Sequence, residues 1–172
     1  VAIIWAKYLL LFGKRKKAKA VLLSLIEKYP DTYKGHIELA KIYEKEGGTR
    51  KAIDEYVKAV DSNKRDYDSY YKIAELLMNL GKKDEAITML ENLLENKADY
   101  YEASLLLGEL LCEQERFKEA VSTYQDAIKY RPEDFELYYS LGIAYTRLND
   151  FSSAKEAYEK AADINHKLYS AK

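Results

Sequence analysis

The sequence predicts an all-α chain made of five copies of one helix–turn–helix unit. Three observations carry this. Five alanines, Ala18, Ala52, Ala86, Ala120 and Ala154, stand 34 residues apart, with no insertion between the first and the last. Apolar residues recur three and four positions apart, the period of one helix face, rather than at alternate positions. The chain is also rich in Ala, Leu, Glu, Lys and Tyr and holds only two prolines, which favours helices over strands. Its 48% hydrophobic content can supply a core, and its 33% charged content is too high for a membrane-spanning bundle.

Other rows keep the same offset. Gly13, Gly47 and Gly81 are completed by Glu115 and Asn149. This row is expected in the left-handed conformation that ends a helix, which glycine and asparagine adopt readily. Leu22, Tyr56, Leu90, Tyr124 and Tyr158 form a large row, and Leu25, Ala59, Leu93, Ala127 and Ala161 a second. Ala6, Ala40, Ala74, Gly108 and Gly142 are small, so two helices can approach closely there. The helix pairs are expected near 1–12 with 15–28, 33–46 with 49–62, 67–80 with 83–96, 101–114 with 117–130 and 135–148 with 151–166. Thr32, Asp66 and Asp134 precede three of the first helices, where a side-chain oxygen can cap free backbone N–H groups. A single pair cannot bury its apolar face alone, so neighbours must stack. The repeats run 1–32, 33–66, 67–100, 101–134 and 135–168 in one domain without a linker. Because Val1 replaces an initiator Met, the chain is expected to be an excerpt of a longer protein or a processed product.

This pattern resembles the tetratricopeptide repeat family, whose 34-residue signature sets an aromatic, Leu-Gly, Tyr, Ala, an aromatic and Pro at fixed offsets. The fifth repeat keeps Tyr138, Leu141, Gly142, Tyr145, Ala154, Tyr158 and Ala161, with His166 in place of Pro. The fourth keeps Leu107, Gly108, Ala120, Tyr124, Ala127 and Pro132, and the first keeps Gly13, Ala18 and Pro30. The resemblance covers nearly the whole chain. It implies a right-handed superhelical solenoid with a concave and a convex side.

Catalytic signals are absent. His36 and His166 lie in different repeats, and His36 shares the row of Tyr70 and Tyr138, so it is expected to pack rather than react. No metal spacing, phosphate loop or Cys/His pair occurs, and Gly47-Gly48 reads as a helix–helix turn. Cys112, the single cysteine, reads as an ordinary helix residue and fits a reducing compartment. The expectation is a non-enzyme with no cofactor and no metal, in the cytoplasm or held at a membrane by a missing N-terminal segment.

The net charge of −1 gives no global reason to bind nucleic acid. Its distribution is uneven. Residues 1–66 carry 15 basic against 9 acidic side chains, net +6, and residues 67–172 carry 13 against 20, net −7. Chance distribution over solvated faces and a partner of opposite polarity both fit.

The resemblance places function on one flank of each first helix, lining the concave groove. The second repeat offers Lys34, Ile37, Lys41 and Glu44 there, and the third Asp68, Tyr71, Glu75 and Met78. The fourth offers Glu102, Leu105, Glu109 and Cys112, and the fifth Glu136, Tyr139, Ile143 and Thr146. Apolar anchors ringed by acids suit an extended or helical segment with apolar side chains and some Lys or Arg. The competing reading is that the tyrosines pack on neighbouring helices and the acids are solvated. Family members that clamp chaperone carboxylates use Lys, Asn and Arg on these helices. Here Lys72 stands alone among acids, so that role is disfavoured.

Residues 1–12 are almost wholly apolar, and Lys14, Arg15, Lys16 and Lys17 follow. Three readings fit: an earlier helix covers Ile3, Ile4 and Tyr8, the face forms a homodimer, or a membrane helix lies just upstream. Twelve residues are too short to span a bilayer, which needs about 20. The leading functional expectation is a scaffold or adaptor that binds a protein or peptide in the groove. A peptide-sensing module, a membrane-anchored assembly factor and an RNA-binding helical repeat are the alternatives.

Overall fold

The computed structural model describes residues 1–170, with side chains through residue 167. Its ten helices are α1 (Ala2–Leu11), α2 (Arg15–Lys28), α3 (Tyr33–Lys45), α4 (Thr49–Ser62), α5 (Tyr67–Asn79), α6 (Lys83–Asn96), α7 (Tyr101–Glu113), α8 (Phe117–Tyr130), α9 (Phe135–Arg147) and α10 (Phe151–Ser170). No strand occurs among the described residues. Nine of the helices end within a residue or so of the sequence expectation. The exception is α10, which runs past 166. His166 there replaces the prolines that follow the ends of α2 and α8, and it leaves the backbone free to stay helical.

The short turn inside each repeat is set by one residue. Gly13, Gly47 and Gly81 have φ of 68°, 72° and 75°, and Glu115 and Asn149 follow at 59° and 61°. The left-handed row is therefore kept even where a side chain must bear its strain, as Glu115 does. Each turn also returns a backbone N–H to the preceding helix, as Arg116 N does to Leu111 O at 2.8 Å.

Capping departs from the expectation. Asp134 accepts the N–H of Leu137 at 3.0 Å, as an N-cap should. Thr32 and Asp66 do not cap with their side chains. At Thr32 the Gly35 N–H goes to the backbone carbonyl at 2.8 Å. At Asp66 the carboxylate accepts the Ser69 hydroxyl at 2.6 Å, while the Ser69 N–H goes to the Asp66 carbonyl.

The chain divides into two compact units, Val1–Met89 and the residues from Leu90 onward, with the boundary inside α6. In the first unit α1 pairs with α2 and α3 with α4, while α2 packs on α3 and α4 on α5. Ala6, Leu9, Ala18, Leu22, Leu39 and Ile42 form one buried cluster, with Val21, Ile26 and Tyr43 packed against it. In the second unit α7 pairs with α8 and α9 with α10, α8 packs on α9, and α7 touches α9. Ala103, Leu110, Ala120, Leu137 and Ala144 are buried there. Close packing between paired helices needs the small row: a Cβ on Gly108 would lie 2.3 Å from Tyr124 Cζ.

Buried polar groups are tied down. His36, only 3% exposed, holds Pro30 O through Nε2 at 2.8 Å and meets Glu55 Oε2 through Nδ1 at 2.6 Å. This joins the end of the first repeat to α3 and α4, so His36 packs as expected but as a polar link. No helix among the described residues is long and apolar enough to cross a membrane.

Candidate binding surface on the first helices

In the first unit the expected stripe lies on α3 and α5. Lys34 and Lys41 are exposed and Ile37 is half-buried, because Ile37 stands nearer the packed face. Lys41 donates to Glu38 at 3.1 Å, and Lys7 of α1 reaches the same carboxylate at 3.2 Å. Lys41 also lines a cleft of about 260 Å3 with Leu10, Glu38, Ile42, Glu44 and Lys45. On α5, Asp68 is exposed and Tyr71 and Glu75 are half-buried. Glu75 is held by Lys72 at 2.6 Å, and this contact raises the lysine's affinity for its proton. Glu44 accepts the Tyr56 hydroxyl at 2.5 Å, and burial together with that bond pushes the phenol well above its usual range.

The second unit carries the richer half, on α7 and α9. Glu102 and Glu109 are exposed beside half-buried Leu105, and no ion pair joins either acid among the described residues. Glu136 accepts the Tyr101 hydroxyl at 2.9 Å, and Asp134 accepts the same hydroxyl at 3.2 Å. Desolvation, then the bond to Glu136, pushes this phenol well above its usual range, so it stays a donor across ordinary pH. The Arg131 guanidinium covers the other part of that ring, 4.1 Å from its centroid. Tyr139 is 48% exposed and Ile143 38%, so both offer apolar surface to solvent. Tyr139 is also held in place: Phe135 stacks on it at 5.8 Å between centroids, and Tyr158 meets it at 5.7 Å, tilted by 57°. A ring fixed between two others loses little freedom when a partner covers it.

Within each unit the structure thus sets the expected residues on successive first helices. Sequence reasoning missed the groups that hold them: Glu38 for Lys41, Lys72 for Glu75, Tyr101 for Glu136, and Phe135 with Tyr158 for Tyr139. Phe135 and Lys72 could have been read from helical neighbours three or four positions away. Tyr101 and Tyr158 could not, because their partners lie on other helices. A cleft of about 400 Å3 in the second unit was also unforeseen, with Leu94, Ser104, Leu107, Thr123 and Tyr130 among its walls.

No group of three metal-binding side chains converges among the described residues. Burial raises the Cys112 thiol above its ordinary value, and Arg147 only partly counters this, so little nucleophilic thiolate forms. Of the residues expected on the end face, Ile4 and Tyr8 point outward, 73% and 47% exposed, while Ile3 packs against the core cluster.

The chain matches family models described as tetratricopeptide repeat over residues 4–32, 37–88, 71–128 and 135–168, and one described as TPR repeat over 108–149. No curated protein matches it in sequence. Among solved structures, the MamA protein superposes with a TM-score of 0.81 at 20% identity, covering 98% of this chain and 92% of that one. YrrB, described as a TPR protein with an unusual peptide-binding site, gives 0.75 at 21% identity, covering 95% and 84%. MamA 41-end from Desulfovibrio magneticus RS-1 gives 0.74 at 17% identity, covering 96% and 94%.

Proposed function

The chain belongs to the tetratricopeptide repeat family, and we propose that it is a protein–protein interaction scaffold whose first helices bind a peptide or helical segment. The observation that carries this reading is the surface of the second unit. Tyr139 and Ile143 stand exposed, Tyr139 packs against Phe135 and Tyr158, and Glu102, Glu109 and Glu136 lie exposed along α7 and α9, the helices that carry the apolar anchors. Aromatic anchors in an acidic rim favour a segment with apolar side chains at helical or alternate spacing, flanked by Lys or Arg. Lys34, Ile37, Lys41, Asp68, Tyr71 and Glu75 form the corresponding stripe of the first unit, where two lysines change the preference. That YrrB is described by a peptide-binding site is in keeping with a peptide ligand here. We assign no reaction, cofactor or metal to the surface.

The test is selection of peptides from a random library on the full chain, repeated on Leu105→Ala/Tyr139→Ala and on Glu102→Lys/Glu109→Lys. Peptides rich in apolar and basic residues are expected. The alanine pair should weaken them by about tenfold or more, as loss of an aromatic hot spot does. The lysine pair should turn the selection away from basic peptides. Peptides that bind all three proteins equally would refute this assignment of the surface.

A further inference from the structure

We infer that the exposed face of α1, with the basic turn that follows it, docks on an anionic lipid bilayer, a role separate from the first-helix stripe. The argument starts from the repeat rows. Trp5 stands in the row of Leu39, Ile73, Leu107 and Leu141, and Tyr8 in the row of Ile42, Leu76, Leu110 and Ala144. All eight of those residues are buried. Leu39 and Ile42 share their cluster with Ala18 and Leu22 of the preceding second helix, α2. Trp5 and Tyr8 instead lie 50% and 47% exposed.

A preceding helix of the ordinary kind would account for those two residues but not for the rest of the face. Leu11 is 84% exposed, and its row reads Lys45, Asn79, Glu113 and Arg147, each exposed in its own repeat. Phe12 is 61% exposed, in a row whose other members, Glu46, Leu80, Gln114 and Leu148, are exposed or half-buried. At Leu11 the apolar surface therefore reaches onto a row that faces water even when a neighbour is stacked. Ile4, Trp5, Tyr8, Leu11 and Phe12 together occupy one face, roughly 120° wide at 100° per residue, without a charged side chain. Trp5, Tyr8 and Phe12 form a continuous aromatic ladder, with centroids 5.3 Å and 4.7 Å apart.

Charge selects the occupant. Gly13 turns the chain, and Lys14, Arg15, Lys16 and Lys17 follow, all exposed and in no ion pair among the described residues. The corresponding positions of the second repeat add the exposed Arg50 and Lys51. An apolar face bearing Trp and Tyr beside clustered lysines is the composition that enters the headgroup boundary of an anionic leaflet. The described part of α1 is about 15 Å long, and its exposed face can lie along a bilayer surface.

Trp5 is the sole tryptophan, so its emission reports this face alone. The full chain is titrated with phosphatidylglycerol-rich and with pure phosphatidylcholine vesicles, following Trp5 emission and co-sedimentation. A blue shift and sedimentation with the anionic vesicles are expected, both reduced by added salt. Lys16→Glu/Lys17→Glu should weaken binding by about tenfold or more. Leu11→Glu should abolish the blue shift while leaving the helical signal and the melting temperature unchanged, because that side chain packs on nothing. The inference is overturned if neither vesicle shifts Trp5, or if Leu11→Glu binds as the parent does. It is equally overturned if the blue shift grows with protein concentration in the absence of lipid together with a doubled mass, since a second copy would then cover the face.

Discussion

Gly108→Ala measures how tightly the paired helices are locked. Gly108 lies in α7 under the Tyr124 ring of α8, and a Cβ there would sit 2.3 Å, 2.4 Å and 2.7 Å from Cζ, Cε1 and Oη. Comfortable carbon contacts begin near ~3.5 Å, so the ring must retreat by roughly 1 Å. Tyr124 is 3% exposed and has little room to do so. Overpacking a full core costs about 1–3 kcal/mol. The substitution also gains about 1 kcal/mol, because alanine is the better helix former. The upper part of the range applies to a pinned ring, leaving a net loss of about 1–2 kcal/mol. Gly142→Ala is the internal control. Its Cβ would meet Tyr158 at 2.6 Å, but that ring is half-buried and less confined than Tyr124, so the loss should be smaller than for Gly108→Ala. Urea denaturation followed by far-UV circular dichroism compares the midpoints. Tyr124→Leu in the Gly108→Ala background should relieve the clash, giving a coupling that the two single changes do not predict. If Gly108→Ala is as stable as the parent, or if no coupling appears, Tyr124 is not locked over Gly108 and the packing argument fails.

Two further substitutions test the turns and the buried link. Glu115→Gly should stabilise the second unit by about 1 kcal/mol, since it removes a side chain from a left-handed residue, and a raised denaturation midpoint would show it. Glu55→Ala leaves His36 Nδ1 buried without its partner and should cost about 1–3 kcal/mol. His36→Leu/Glu55→Met should recover part of that loss in the same assay, because no buried Nδ1 is then left without a partner, and the recovery is limited by the Pro30 carbonyl, which loses its Nε2 contact.

Much of the candidate site was legible because the repeat transfers information between copies. Once Ala18, Ala52, Ala86, Ala120 and Ala154 are aligned, the stripe positions on α3, α5, α7 and α9 follow by counting. What each residue does there was less legible. Glu75 and Glu109 occupy the same row of the repeat, yet Glu75 is taken by Lys72 and Glu109 joins no ion pair among the described residues. Tyr71 and Tyr139 share a row, yet Tyr139 is exposed and Tyr71 half-buried. Such differences arise from single substitutions at neighbouring rows, which a periodic reading averages away.

The end caps make the same point. Thr32, Asp66 and Asp134 are all good capping residues, but only Asp134 caps with its side chain. Ser69 draws off the Asp66 carboxylate, and at Thr32 the backbone carbonyl takes the Gly35 N–H. A local propensity states what a side chain can accept, and its neighbours determine what it does accept.

The sequence by itself determined the helices, the pairing of α1 with α2, α3 with α4, α7 with α8 and α9 with α10, and the left-handed turn row, because these depend on a helical period and on short-range backbone sterics. Only the tertiary structure decided that His36 is a buried link to Glu55, that Tyr139 is packed by Phe135 and Tyr158, and that Ile3 of the expected end face packs inward while Ile4 and Tyr8 stand exposed. Those outcomes depend on which residue of another helix lies opposite, and helix periodicity carries no record of that.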